Sequence, residues 1–174
     1  MNRVHLDHNA TTPLRAEARA ELLRAVDALR GNPSSVHTAG RTARAELDDS
    51  RERIAAALGV EGEEIIFTSG GTEANNAAIF GGTPQGAPLY VGALEHSSVR
   101  EAAEALKRAG RAVHSLPVDP SGLLDTTAMK AALEGQKAGL LSVMAANNEL
   151  GTISPLEEMR LCLEGLSSAS RPLW

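Results

Sequence analysis

The sequence predicts an α/β fold, a mainly parallel β-sheet flanked by helices. Three observations predict it. Short apolar runs alternate with longer amphipathic stretches from residue 64 to residue 146. Several of the runs, APLYVGAL (87–94) and AGLLSVMAA (138–146) above all, are almost wholly apolar, as strands covered on both faces must be. Polar clusters follow the runs: Gly70, Gly71 and Thr72; Glu95 and His96; Asn147, Asn148 and Glu149. Ligands in such sheets sit at the C-terminal ends of the strands, which is where these clusters fall.

The elements follow in order. PLRAEARAELLRAVDALRG (13–31) places Leu14, Ala18, Leu22, Val26 and Leu29 on one helical face and stops at Gly31. GNPSSVH (31–37) is a loop dense in turn formers. GRTARAELDDSRERIAAALG (40–59) is a second amphipathic helix, with Ala43, Leu47, Ile54 and Leu58 inward and Gly59 as its C-terminal stop. Both helices are expected to pack outside the sheet. EEIIF (63–67) is β-branched and apolar and reads as a strand, and TEANNAAIF (72–80) as a helix. Then come APLYVGAL as a strand, SVREAAEALKRAG (98–110) as a helix and RAVHSLPV (111–118) as a strand. DPSG (119–122) is a turn. Asp125 is placed to cap the helix TTAMKAALEG (126–135). AGLLSVMAA is the next strand, and PLEEMRLCLEG (155–165) a last helix with proline at its first turn.

Composition narrows the class. The 174 residues suit one domain with a sizeable core, and 43% hydrophobic with 22% charged is ordinary for a soluble globular chain. A net charge of −5 with no basic block argues against nucleic acid or an anionic membrane as partner. MNRVHLDHNATTP lacks a signal-peptide core, and no apolar run reaches a membrane span. The single cysteine, Cys162, excludes an internal disulfide and fits a reducing compartment, so a cytoplasmic location is expected.

The polar clusters carry the chemistry. A helix N-terminus offers unpaired N–H groups and about half a positive charge. Glycines before it let an anion approach the backbone, and the Thr72 hydroxyl adds a donor, so Gly70–Thr72 reads either as a phosphate cradle or as a plain strand-to-helix turn. It is neither a P-loop nor a dinucleotide fingerprint, because GK[ST] and GxGxxG are absent. His96 reads as a face for a flat ring, a proton carrier or a loop histidine. Asn147 and Asn148 read as ligand contacts or as turn residues. The five histidines lack metal-ligand spacing, and Cys162, beside Leu161 and Leu163, reads as a structural thiol.

Five motifs in order, LDHNATTP (6–13), GNPSSVHTAGRTAR (31–44), IIFTSGGTEANN (65–76), EHSSV (95–99) and NNELGTISP (147–155), resemble the N-terminal half of a cysteine desulfurase. That family lies in the class V group of pyridoxal-phosphate enzymes, and NNELG is similar to its iron–sulfur-cluster-assembly type. The resemblance implies the truncated large domain of a fold-type I pyridoxal-phosphate-dependent transferase over residues 1–158, followed by a divergent tail, 159–174. It implies that Gly71 and Thr72 hold the phosphate of pyridoxal 5'-phosphate. By the same resemblance His96 is expected to stack on the cofactor ring, placed also for proton transfer, and Asn148 to contact cofactor and substrate. Asn9–Thr12 and Asn32–His37 resemble stretches that border the active site and a dimer interface. L-cysteine is the implied substrate. Its sulfur passes to a cysteine thiolate on a mobile loop and then to a sulfur-acceptor or scaffold protein, and alanine leaves. This chain departs from the family pattern in two respects. Lys107, Lys130 and Lys137 stand in no setting like the family's Schiff-base lysine, and Cys162 is not on a catalytic loop. A truncated, frameshifted or split chain, inactive alone, is therefore expected. The alternatives are a non-catalytic remnant or interaction module and another class V aminotransferase.

Overall fold

The computed structural model describes residues 4–174; Met1–Arg3, where the stretch read for targeting signals begins, lie outside the described residues. The chain divides into two compact units, one ending at Phe67 and one running from Thr68 to Trp174.

The first unit holds α1 (Ala16–Ala28) and α2 (Thr38–Leu58). Gly59 closes α2 in the left-handed conformation (φ 71°), as its glycine stop requires. The inward face expected of α2 is corrected by one residue step. Ala43 and Ala55 are buried and Leu47 half-buried, but Ile54 and Leu58 are 39% and 66% exposed. The covered stripe runs Gly40, Ala43, Leu47, Arg51, Ala55, a 3-4-4-4 spacing that Ile54 and Leu58 do not join. On α1 no residue is fully buried, and Leu22 and Val26 are exposed.

EEIIF is not a strand. Gly62–Glu64 forms a single 3₁₀ turn closed by a capping box, in which Glu61 and Glu64 each satisfy the other's backbone. The segment after it is extended but unpaired among the described residues. Arg51 holds it instead, donating to the Ile65 carbonyl (3.3 Å) and lying 5.2 Å over the Phe67 ring.

The second unit is a three-layer sandwich. It contains α3 (Gly71–Gly82), β1 (Leu89–Gly92), α4 (Ser97–Arg108), β2 (Val113–Leu116), α5 (Thr126–Leu133), β3 (Leu140–Ser142) and α6 (Leu156–Glu164). Three of the predicted strands exist, each shorter than its apolar run. They form one parallel sheet in the order β2-β1-β3, with Leu89 opposite Val113 and Leu140. Side chains alternate across it. Leu89, Val91 and Leu140 pack with Ile79 of α3 and with Val99, Ala102, Ala103 and Leu106 of α4. Tyr90, Leu116 and Leu141 pack with Met129 and Leu133 of α5 and with Met159, Leu163 and Leu166. Asp125 caps α5 as expected, accepting from the Ala128 N–H at 2.9 Å. Pro155 sits at the N-cap of α6.

Residues 159–174 belong to this core. Met159 is fully buried, and Cys162 packs half-buried beside it. Leu173 forms a parallel bridge to Leu140: its N–H donates to Gly139 (2.9 Å) and its carbonyl accepts from Leu141 (2.8 Å).

Candidate active site

The strand order makes the site. From β1 the chain passes to α4 on one face of the sheet, while from the adjacent β3 it passes to α6 on the other face. The two loops part at the C-terminal ends of neighbouring strands and leave a crevice, the place where open α/β sheets bind ligands. A cleft of about 240 Å³ lies there. Glu95, His96 and Arg100 line it from the β1 side, and Met144, Asn148 and Glu149 from the β3 side.

His96 is the N-cap of α4, and its Nδ1 accepts from the Ser98 N–H at 3.1 Å. The loop after β3 turns back on itself through the pair Ala146 and Ile153. Gly151, at φ 73°, makes that return without a Cβ penalty. Asn147 builds the turn: its Oδ1 accepts from the N–H groups of Glu149 and Leu150, both at 2.9 Å. Its Nδ2 crosses to the Leu94 carbonyl at 3.0 Å, tying the two walls of the cleft together. So of the two asparagines Asn147 builds the turn, and both line the cleft.

Glu95 is a second tie. Its side chain is 7% exposed and accepts the N–H of Met144 at the end of β3. Burial pushes its pKa up, against the Met144 N–H and the neighbouring His96, which pull it down. A Cβ at position 92 would come 3.4 Å from its Oε1, an ordinary contact distance.

The structure brings His96 and Asn148 into one cleft; Gly71 and Thr72 stand outside its lining, at the N-terminus of α3. Three residues after Thr72, Asn75 donates to Ser98 Oγ at 2.8 Å and links α3 to the His96 end of α4. Gly70 supplies no side-chain cap, so the first N–H groups of α3 lack an intrahelical acceptor. The backbone does not explain the paired glycines. Gly70 is extended (φ 166°), and a Cβ on either glycine would meet nothing within 4 Å. Glu73, in the first turn, is occupied elsewhere, accepting from the Ser69 N–H (2.7 Å) and hydroxyl, which hold its carboxyl below the ordinary value. The helix end is thus open and uncapped, as an anion cradle requires.

Sequence reading missed the burial of Glu95 and the pairing of Asn75 with Ser98. Nothing in the local sequence distinguishes Glu95 from a solvent-facing carboxylate at a strand end. Nothing in a 23-residue separation signals the second. Among the described residues no group of His, Cys, Asp and Glu is arranged to hold a metal ion, and no helix is long and apolar enough to cross a membrane.

Comparison with known proteins bears on the fold and the family. The chain is 42% identical over 160 residues to cysteine desulfurase IscS of Dictyoglomus turgidum, covering 90% of this chain and 40% of that protein. It is 40% identical over 164 residues to cysteine desulfurase 2 of Trichormus variabilis, covering 92% and 41%. Among solved structures it superposes on a NifS-like protein with a TM-score of 0.88 at 30% identity, covering 98% of this chain and 48% of that one. DndA from Streptomyces lividans matches with a TM-score of 0.76 at 33% identity, over 94% and 47%. The chain thus spans about two-fifths of the length of these curated relatives. The aminotransferase class-V family matches residues 4–164, and the chain belongs to that family.

Proposed function

We propose that this chain is the phosphate-cradling and ring-stacking part of a pyridoxal-phosphate-dependent cysteine desulfurase of the iron–sulfur-assembly type. The observation that carries the reading is the cleft at the crevice between β1 and β3, holding His96 and Asn148, with the open N-terminus of α3 linked to it through Asn75. The relatives' printed names supply the reaction class.

In this reading the N–H groups of Gly71 and Thr72, with the Thr72 hydroxyl, hold the cofactor phosphate. His96 covers one face of the ring, and Asn148 meets the cofactor or the substrate carboxylate. Glu95 and Asn147 keep the two walls of the cleft at fixed separation. Pyridoxal phosphate, when bound, supplies an electron sink for chemistry at the α-carbon of L-cysteine. Lys107, Lys130 and Lys137 are all exposed and none lines the cleft, so this chain offers no lysine to bond the cofactor there. We propose that a lysine and a sulfur-accepting cysteine come from polypeptide other than these 174 residues, that the assembled enzyme is a homodimer in the cytoplasm, and that it hands sulfur to an acceptor or scaffold protein. The lysine placement equally favours a second reading, a non-catalytic module that keeps the cradle alone.

Titrating the purified chain with pyridoxal phosphate, followed by cofactor fluorescence, tests the cradle. Binding is expected without a borohydride-reducible adduct and without turnover of L-cysteine. Thr72→Ala should weaken it by about 0.5–1.5 kcal/mol for a neutral hydrogen bond, and up to about 3 if the bond is charge-assisted. Binding unchanged by Thr72→Ala and by His96→Ala together would sink the assignment. A stoichiometric adduct with turnover would show instead that this chain is catalytically complete.

A further inference from the structure

A side-chain relay runs from α3 to His96. Asn75 Nδ2 lies 2.8 Å from Ser98 Oγ, and Ser98 Oγ lies 2.7 Å from His96 Nδ1. The backbone N–H of Ser98 also points to Nδ1, at 3.1 Å. Ser98 is 7% exposed, so water does not compete freely for its hydroxyl.

The polarity of this relay can be read from its one fixed member. A backbone N–H only donates. Nδ1 must therefore present its lone pair to Ser98, and in the neutral ring the proton sits on Nε2. With Nδ1 an acceptor, the Ser98 hydroxyl turns its proton toward the ring. Its oxygen then accepts, and the Asn75 amide presents its nitrogen, the orientation observed. Every donor meets an acceptor in only this one direction.

We infer that Asn75 and Ser98 are positioning residues that hold His96 as the Nε2–H tautomer. This deepens the reading of the cleft given above and rests on it for its consequence. The neutral ring offers a hydrogen-bond donor on the side turned away from α4. It suits an electron-rich acceptor in the cleft, a carboxylate, phenolate or thiolate oxygen or sulfur. To serve as a general base at Nε2, the ring would have to move its proton to Nδ1, against the Ser98 N–H.

Tautomers are read directly by long-range proton–nitrogen NMR of the uniformly ¹⁵N-labelled chain, without cofactor, at a pH where the ring is neutral. The His96 signals are identified by their loss in His96→Gln. Because no cofactor is present, failure of the cradle assignment leaves this measurement standing, and the reverse also holds. Nε2 is expected as the protonated nitrogen. Ser98→Ala should lower the ratio of the Nε2–H to the Nδ1–H form by about two- to tenfold, the span of one neutral hydrogen bond. Ser98→Thr, which keeps the hydroxyl, should retain the ratio. Asn75→Asp should lower it as well, because a carboxylate at 75 only accepts and draws the Ser98 proton away from the ring. A wild-type ring protonated mainly at Nδ1 overturns the inference, and so does a ratio unmoved in folded Ser98→Ala and Asn75→Asp. The wild-type measurement carries the test even if a variant does not fold.

Discussion

Replacing Glu95 by glutamine removes a buried charge but keeps the side chain's shape and an acceptor for the Met144 N–H. Two effects oppose each other. The hydrogen bond changes from charged, worth about 1.5–3 kcal/mol, to neutral, worth about 0.5–1.5, so its exchange costs roughly 1 kcal/mol. Against this, taking a carboxylate out of water costs several kcal/mol even after relaxation. Burial is the largest influence on this carboxyl and raises its pKa, so desolvation wins. A group whose pKa is higher folded than unfolded holds its proton longer in the folded chain. Its contribution to stability is therefore whole below the ordinary value of 4.5 and is lost as pH rises through the raised one. In that window the wild-type chain should lose stability relative to Glu95→Gln by at most about 1.4 kcal/mol per pH unit, the ceiling for one proton. Above it the glutamine variant should be the more stable by on the order of 1 kcal/mol. Below 4.5 the two should agree. Urea unfolding at a series of pH values measures the difference, and repeating it in a His96→Gln background removes the neighbouring titration. A Glu95→Gln chain less stable than wild type at pH 8, or a difference flat with pH, would refute the reasoning.

Other expectations concern the core and its caps. Met159→Ala, at a fully buried position on α6 in the cluster shared with α5, should cost about 2–5 kcal/mol in the same urea assay with an unchanged slope. Asp125→Ala should cost about 0.5–2 kcal/mol by removing the α5 cap, and Asp125→Ser should recover most of it. Phe80, Leu150, Ile153 and Trp174 are each between 47% and 72% exposed, so the isolated chain should self-associate; a single monomeric species by sedimentation at tens of micromolar would contradict this.

The parallel sheet was legible because Leu89–Val91 and Leu140–Leu141 are buried on both faces, and burial on both faces leaves an apolar run in the sequence. Ile65, Ile66 and Phe67 carry the same strand propensity but pair with no strand among the described residues, and propensity does not reveal whether a strand has a partner. Periodicity marked Leu22 and Val26 as one helical face, but it cannot show whether that face is covered. In the site, His96 and Asn148 were legible from their motifs and from their positions after strands. Which asparagine turns the chain was not, because two adjacent asparagines carry the same turn propensity. The Asn75–Ser98 link was equally hidden, since it depends on how α3 lies against α4.

The pairing of Leu173 with β3 has a consequence for synthesis. As the chain leaves the ribosome, β1 and β2 can pair once residue 116 is out, yet β1 keeps a bare edge until Leu140 follows. The new outer edge of β3 then waits for Leu173, which brings the partners of Gly139 and Leu141. Through that interval the nascent sheet shows unpaired backbone beside the apolar side chains of Leu140 and Leu141. That is the surface a holding chaperone recognises and on which neighbouring chains on a polysome stick together. A stalling extension after Trp174, long enough to expose Leu141 while Leu173 stays inside the exit tunnel, should therefore lower soluble yield.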